Sequence, residues 1–188
     1  GLEFVFYDTL KNIESTIIAY YGKLFSKEDL LKVRKNVRFN NYNLDTLFGG
    51  KLMYWMDMAA AICANKNTKK ISVTASVDNI TFKSPIFKGD IVTITAFITR
   101  VFNTSMEIFI EVSSQNSESQ KSVISNSAFF TFVTLNEKRK PVKSIEVKPN
   151  SEEEKKLFDG ALRRRQLRLI LAGKMKPEEA DELKSIFN

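Results

Sequence analysis

A chain of 188 residues with a net charge of +7 and a hydrophobic fraction of 43% has the size and apolar content for one domain with a sizeable core. It contains no histidine, which excludes Ser-His-Asp, Cys-His and histidine-based acid–base or metal sites, and its single cysteine, Cys63, rules out an internal disulfide and leaves zinc without a ligand cluster. The charge alone fits nucleic acid, phosphorylated cofactors or an acidic membrane surface; no apolar run reaches the roughly 18 residues of a membrane span, and the start lacks a secretory leader.

Residues 8 to 25 carry Leu10, Ile13, Ile17, Tyr20, Tyr21 and Leu24 at helical spacing, with Asp8 placed to cap the start. Ser26-Lys27-Glu28-Asp29 is a capping pattern that opens a second short helix. Together these predict an N-terminal helical extension over residues 1–32, a surface layer packed onto the main domain or a partner subunit. Val33 to Phe39 reads as a first strand, followed by the polar turn Asn40-Asn41-Tyr42-Asn43.

A helix of about residues 49 to 65 comes next, opened by Gly49-Gly50 and apolar on nearly every side, so it reads as buried, with Asp57 its lone acid. From Ile71 the period switches to two and continues to Phe82. Ile91 to Phe102 and Ser105 to Ser113 are further β-rich runs joined by the turn Asn103-Thr104. In the second of these, Met106, Ile108, Ile110 and Val112 face one side, and Glu107, Phe109 and Glu111 the other. The polar loop Gln115 to Lys121 leads into a last strand, Ser122 to Leu135, with Phe129, Phe130 and Phe132 in its middle. The predicted fold is α+β: a five-stranded antiparallel sheet curled around a long central helix, over residues 33–140. Beyond Pro141 the capping box Ser151-Glu152-Glu153-Glu154 starts a charged helix to about Leu171, and Gly173 and Pro177 precede a short terminal helix ending near Phe187. Residues 141–188 are thus a charged helical extension.

The chemistry centres on the apolar helix. Gly49 and Gly50 let the backbone approach a ligand closely, and the first N–H groups of the helix, with its dipole, form an oxyanion-hole arrangement for a carbonyl oxygen. The plainer reading of the glycines is a tight turn. Asp57 follows Gly50 by seven residues, close to two turns, so it lies on the same helix face roughly 10 Å further along. Apolar neighbours would raise its pKa toward the range useful for a general base. Pairing with a lysine or capping a backbone group is the alternative.

The stretch Asn43-Leu44-Asp45-Thr46-Leu47-Phe48-Gly49-Gly50-Lys51-Leu52-Met53-Tyr54-Trp55-Met56-Asp57 resembles the signature of the cytosolic, single-domain acyl-CoA thioesterases of the hot-dog fold. Val73 to Asp78, Phe82 to Pro85, Gly89-Asp90, Asn103 to Glu107 and Phe129 to Val133 resemble that family's later segments in order, with a weaker echo in Glu152 to Arg165. The resemblance implies hydrolysis of acyl-CoA to free acid and CoA. Asp57 would activate water or attack the thioester directly, while Gly49 or Gly50 supplies the polarising amide. An Asn-His pair often precedes Thr-Leu-Phe-Gly-Gly in the family, and Tyr42 and Asn43 stand at those positions here, so Asn43 or Asn41 substitutes for the displaced asparagine.

For substrate and CoA contact the resemblance implies Phe48 and the turn residues Thr104 and Ser105, although hairpin-turn chemistry accounts for the latter two equally. Among the basic runs Lys138-Arg139-Lys140 and Arg163-Arg164-Arg165, Arg164 is the candidate for the CoA phosphates, set against the plainer reading of a solvated charged face. No metal or separate cofactor is implied, CoA being part of the substrate. No nucleic-acid recognition motif accompanies the charge, and the expected location is cytoplasmic. The family places its site between subunits, which implies a homo-oligomer, a dimer or a trimer of dimers. The rival reading is a non-catalytic acyl-CoA-binding regulator using the same pocket; a dehydratase or hydratase on the same fold lacks the histidine such sites use.

Overall fold

A computed structural model describes residues 46–116 and 118–186 together with the backbone of segments 4–6, 17–21 and 31–36. The elements are strands β1 (Phe4–Phe6), β2 (Ile17–Tyr21) and β3 (Leu31–Asn36), helix α1 (Gly49–Thr68), and strands β4 (Ser72–Phe82), β5 (Ile91–Val101), β6 (Ser105–Gln115) and β7 (Ser122–Thr134). Helix α2 (Glu152–Leu171), a 3₁₀ turn at Pro177–Glu179 and the short α3 (Asp181–Lys184) complete the chain.

The strands form one sheet in the order β1-β2-β3-β5-β6-β7-β4, with every neighbouring pair antiparallel. Four long strands, β4 to β7, carry it. Among the described residues the five strands expected from the sequence are therefore corrected to seven. The difference arises in the N-terminal segment, where helical spacing over residues 8 to 25 pointed to a helix but Ile17–Tyr21 is a strand paired with β3. A run of two isoleucines and two tyrosines has strand propensity, and tertiary pairing overrides a helical spacing that these few residues also satisfy. The helix expected from Ser26 lies outside the described residues.

Alternation builds the core. Val92, Ile94, Ala96 and Ile98 on β5, Met106, Ile108, Ile110 and Val112 on β6, and Ala128, Phe130 and Phe132 on β7 are all buried. Each large side chain so buried contributes about 1.5–3 kcal/mol. Against this face packs a stripe of α1 at helical spacing, Leu52, Trp55, Met56, Ala59, Ala60, Cys63 and Ala64. The helix is not buried all round, as its composition implied. Tyr54 is 56% exposed, and Asp57, Met58 and Ala61 are only half-buried.

The opposite sheet face is covered by α2, whose start is capped as the sequence predicted: Glu154 N–H donates to Ser151 Oγ at 3.2 Å. Gly160 and Ala161 are buried there. The rings of Phe97, Phe109 and Phe129 form a row on the same face. The β5–β6 hairpin turns through Asn103-Thr104 as expected, closed by Phe102 N–H to Ser105 O at 2.7 Å.

Candidate active site

The entry to α1 is held by backbone bonds to the loop before β5. Leu47 N–H donates to Ile86 O at 2.7 Å, and Thr46 bridges to Phe87. Phe48, extended at φ −65° and ψ 130°, precedes the first turn, and the earliest intrahelical bonds run from Lys51 and Leu52 N–H to its carbonyl. The N–H groups of Gly49 and Gly50 thus belong to the orphan donors of the helix start. The ring of Phe48, 44% exposed, folds back over the second glycine: a Cβ at Gly50 would stand 2.6 Å from Phe48 Cε1. At Gly49 the neighbour is the exposed ring of Phe82 on β4, 3.4 Å from a built Cβ. No acidic side chain occupies the first turn to compete for the donors.

Two turns further on, Asp57 is half-exposed rather than enclosed, and its Oδ1 accepts a hydrogen bond from Thr74 Oγ1 on β4 at 2.6 Å. Strand β4 closes the sheet on that side among the described residues, and much of it is exposed, including Val73 and Phe82. The carboxylate and its hydroxyl partner therefore sit at an open sheet edge, beside the exposed Tyr54.

The other sequence candidates divide between two places. Ser105 Oγ, at the hairpin turn, accepts from Arg165 Nη1 at 3.3 Å, and the Arg165 guanidinium lies over the Phe102 ring at 4.5 Å. Burial, and secondarily the neighbouring positive charge of Arg168, lower the Arg165 pKa from its ordinary value. Arg168 itself pairs with Asp78 on β4 at 2.6 Å. Thr104 holds the same turn to the end of β7, its carbonyl accepting from Thr134 N–H at 3.1 Å.

Arg164 is engaged elsewhere. Its Nε and Nη2 donate to the two oxygens of Glu107 at 3.0 and 2.7 Å, Nη2 also reaches Leu157 O, and the guanidinium covers the Phe129 ring at 3.9 Å. Glu107, with only 1% of its side chain exposed, also accepts from Thr99 Oγ1 at 2.6 Å. Asn43 lies outside the described residues.

Sequence reasoning missed Thr74 and did not separate Arg165 from Arg164. A threonine in a β-rich run is an ordinary strand former, so no local signal marked Thr74. The helical phase of α2 decides which of three consecutive arginines meets Glu107 and which meets Ser105. Among the described residues, no group of three or more His, Cys, Asp or Glu side chains is arranged to hold a metal ion, and no helix is long and apolar enough to cross a membrane.

Residues 44–120 match the Thioesterase superfamily. The uncharacterized acyl-CoA thioester hydrolase YkhA of Bacillus subtilis is 36% identical over 141 residues, which cover 74% of this chain and 82% of that protein. Among solved structures, an apo-hexameric acyl-CoA thioesterase superposes with a TM-score of 0.74 at 33% identity, over 77% of this chain and 93% of its own. An acyl-CoA hydrolase from Staphylococcus aureus, solved with butyryl-CoA, CoA and CoA disulfide, superposes with a TM-score of 0.71 at 31% identity, over 78% and 92%. That hydrolase has also been solved as separate variants in which an aspartate, a threonine or an asparagine is replaced by alanine. Its aspartate and threonine are 17 positions apart, as Asp57 and Thr74 are here. Its interval from asparagine to aspartate, counted back from Asp57, lands on Tyr42. With its signature, its sheet order and these relatives in agreement, the chain belongs to the thioesterase superfamily, among the acyl-CoA thioester hydrolases of the hot-dog fold.

Proposed function

We propose that this protein hydrolyses acyl-CoA to a carboxylic acid and CoA, with Asp57 as general base or nucleophile and the Gly49 and Gly50 amides polarising the thioester carbonyl. The observation that carries the reading is the short bond from Thr74 Oγ1 to Asp57 Oδ1 at an open edge, at the separation seen between the two replaced residues of the S. aureus hydrolase. The hydroxyl occupies one carboxylate oxygen and leaves the other free to act. As a base, that oxygen takes a proton from water while the hydroxide adds to the carbonyl carbon. The oxyanion that forms is held by the helix amides, and its collapse expels the CoA thiolate, which is then protonated. In the direct route the carboxylate itself adds to the carbonyl, and the adduct collapses by breaking the C–S bond and expelling the CoA thiolate, which is then protonated. Water hydrolyses the resulting mixed anhydride to the free acid and the Asp57 carboxylate.

Distance along α1 argues for more than one copy. Seven residues of helix separate Gly50 from Asp57 by roughly 10 Å, whereas a base must come within about 2.6–3.2 Å of its proton or act through one water. A single α1 does not bring its own amides and its own carboxylate onto one thioester. The edge of β4 that has no strand partner among the described residues, flanked by exposed Val73, Phe82 and Tyr54, is the surface where a second copy would supply the missing half. A dimer or a trimer of dimers accords with the hexameric state stated for structural relatives.

For CoA, the Ser105–Arg165 pair is the better phosphate contact than Arg164. The Arg164 donors are taken by Glu107, while among the described residues no carboxylate pairs with Arg165. Phe48 and Thr104 flank the substrate path in this reading. A lone cysteine and the absence of histidine chemistry fit a cytoplasmic enzyme that needs no added cofactor.

One observation favours a second reading, an acyl-CoA-binding regulator without turnover. By that asparagine-to-aspartate interval Tyr42 stands where the S. aureus hydrolase has its replaced asparagine, so Asn43 or Asn41 would have to act for it. Steady-state release of free thiol from short, branched, aromatic and long acyl-CoAs separates the two. Turnover is expected, with Asp57→Asn lowering kcat about 10²–10⁴-fold while the fold is retained. Saturable binding with no thiol released would establish the regulator instead.

A further inference from the structure

Strand β4 changes its facing partway along. Thr74 pairs with Phe132, and Ser76 with the adjacent Thr131, so Ala75 is an extra residue that β7 does not match. A bulge of this kind re-aims the side chains that follow it. In an unbulged strand Thr74, Ser76 and Asp78 would share one face. Here the Thr74 hydroxyl meets Asp57 on α1, whereas Asp78 meets Arg168 on α2, across the sheet. Val77 and Ile80 pack on the core at the α1 side. A second register shift follows between Asp78 and Thr81, where Asn79 has φ 52°, a left-handed value that residues with a side chain rarely adopt. Between the two shifts only Ser76, Val77 and Asp78 stay in register with β7, and among the described residues β4 has no neighbour on its other side. So short a ladder resists a one-residue slip weakly, and a slip that absorbed Ala75 would turn Thr74 away from α1.

We propose that Arg168 and Asp78 are positioning residues for the hydrolysis: α2 grips β4 on one face of the sheet, fixes the bulge at Ala75, and so holds the Thr74 hydroxyl on Asp57 at the other face. The inference rests on the hydrolase reading above, with Asp57 as its carboxylate. The grip is a charge-assisted bond from Arg168 Nη1 to Asp78 Oδ2 at 2.6 Å, between side chains only 18% and 25% exposed. It falls on the short ladder segment between the two shifts, where an outside tie constrains the register most. Neither residue lies on the Asp57 side of the sheet, so neither reaches the reacting atoms. The ion pair acts through Thr74, and its removal should therefore cost turnover no more than removal of the Thr74 hydroxyl does.

The test measures steady-state thiol release from acyl-CoA on the full chain. It compares Arg168→Met, which keeps the stem without the charge, and Asp78→Ala, each in the wild-type and in a Thr74→Val background. Each single variant should lower kcat about 3- to 10-fold, with KM held within about twofold. With Thr74 already replaced, neither should lower kcat by more than about a further twofold, the non-additivity of residues that act through one contact. A pair that only stabilised the fold would give losses that multiply in the two backgrounds. Multiplying losses, or a kcat equal to wild type in a folded single variant, overturn the inference and leave the hydrolase reading standing. The two variants cut opposite ends of one ion pair, so if one fails to fold the other decides. No thiol release from the wild type overturns the hydrolase reading and this inference with it.

Discussion

Replacing Thr74 by valine removes one hydroxyl and keeps the shape and β-branching that the edge strand uses. A hydrogen bond to a charged group contributes about 1.5–3 kcal/mol where water is kept out. Here Thr74 is exposed and Asp57 half-exposed, so water replaces part of the bond in the free protein. The stability change should stay within about 0.5 kcal/mol, as for most surface substitutions. Catalysis feels more of the loss, because Asp57 then samples rotamers that aim its oxygens away from the attacking water. A loss near the lower end of that range, about 1.4 kcal/mol, corresponds to a tenfold drop in kcat. Steady-state thiol release with a saturating acyl-CoA measures it, and thermal unfolding checks the fold. KM should be unchanged, since the hydroxyl faces the carboxylate and not the substrate's bulk. An unaltered kcat, or a rise in KM alone, would refute the positioning role.

Four further outcomes follow from the geometry. Arg164→Met leaves Glu107 buried and unpaired, a loss of about 3–5 kcal/mol or about 10 °C in midpoint at this chain length; a calorimetric shift under about 3 °C would contradict it. Gly50→Ala should lower kcat, as the added Cβ displaces the Phe48 ring from 2.6 Å, while helix propensity holds or raises stability by up to about 1 kcal/mol; unchanged turnover would detach the glycine from the site. Arg165→Gln should raise KM for acyl-CoA and leave KM for the matching acyl-pantetheine, which lacks the nucleotide phosphates, where it was. Ser151→Ala should cost about 1 kcal/mol through the lost α2 cap, read as a fall of about 2–4 °C in Tm without change in kcat/KM.

The central part of the fold was legible because two periods are written plainly into the chain. Met106, Ile108 and Ile110 alternate with Glu107 and Phe109, and every side chain of the first set is fully buried against α1. Ser151 with Glu154 announced α2 by a local hydrogen bond, which needs nothing beyond four residues. Ile17 to Tyr21 misled, because five residues satisfy either period and their pairing with β3 is a long-range choice. The partner of Asp57 was hidden for the same reason: Thr74 is 17 residues away and meets the carboxylate only after β4 has found β7. For Glu107 only the strand side it shares with Phe109 and Glu111 could be read from the sequence, because that face becomes an interior only when α2 folds over it.

The roughly 10 Å that α1 puts between its amide donors and its carboxylate has a kinetic meaning. If the proposed roles of the α1 amides and Asp57 hold, an isolated chain would carry two half-sites that cannot serve the same molecule, and hydrolysis would be a property of encounter between chains. Specific activity should then fall on dilution through the association constant and recover on concentration, as a second-order process.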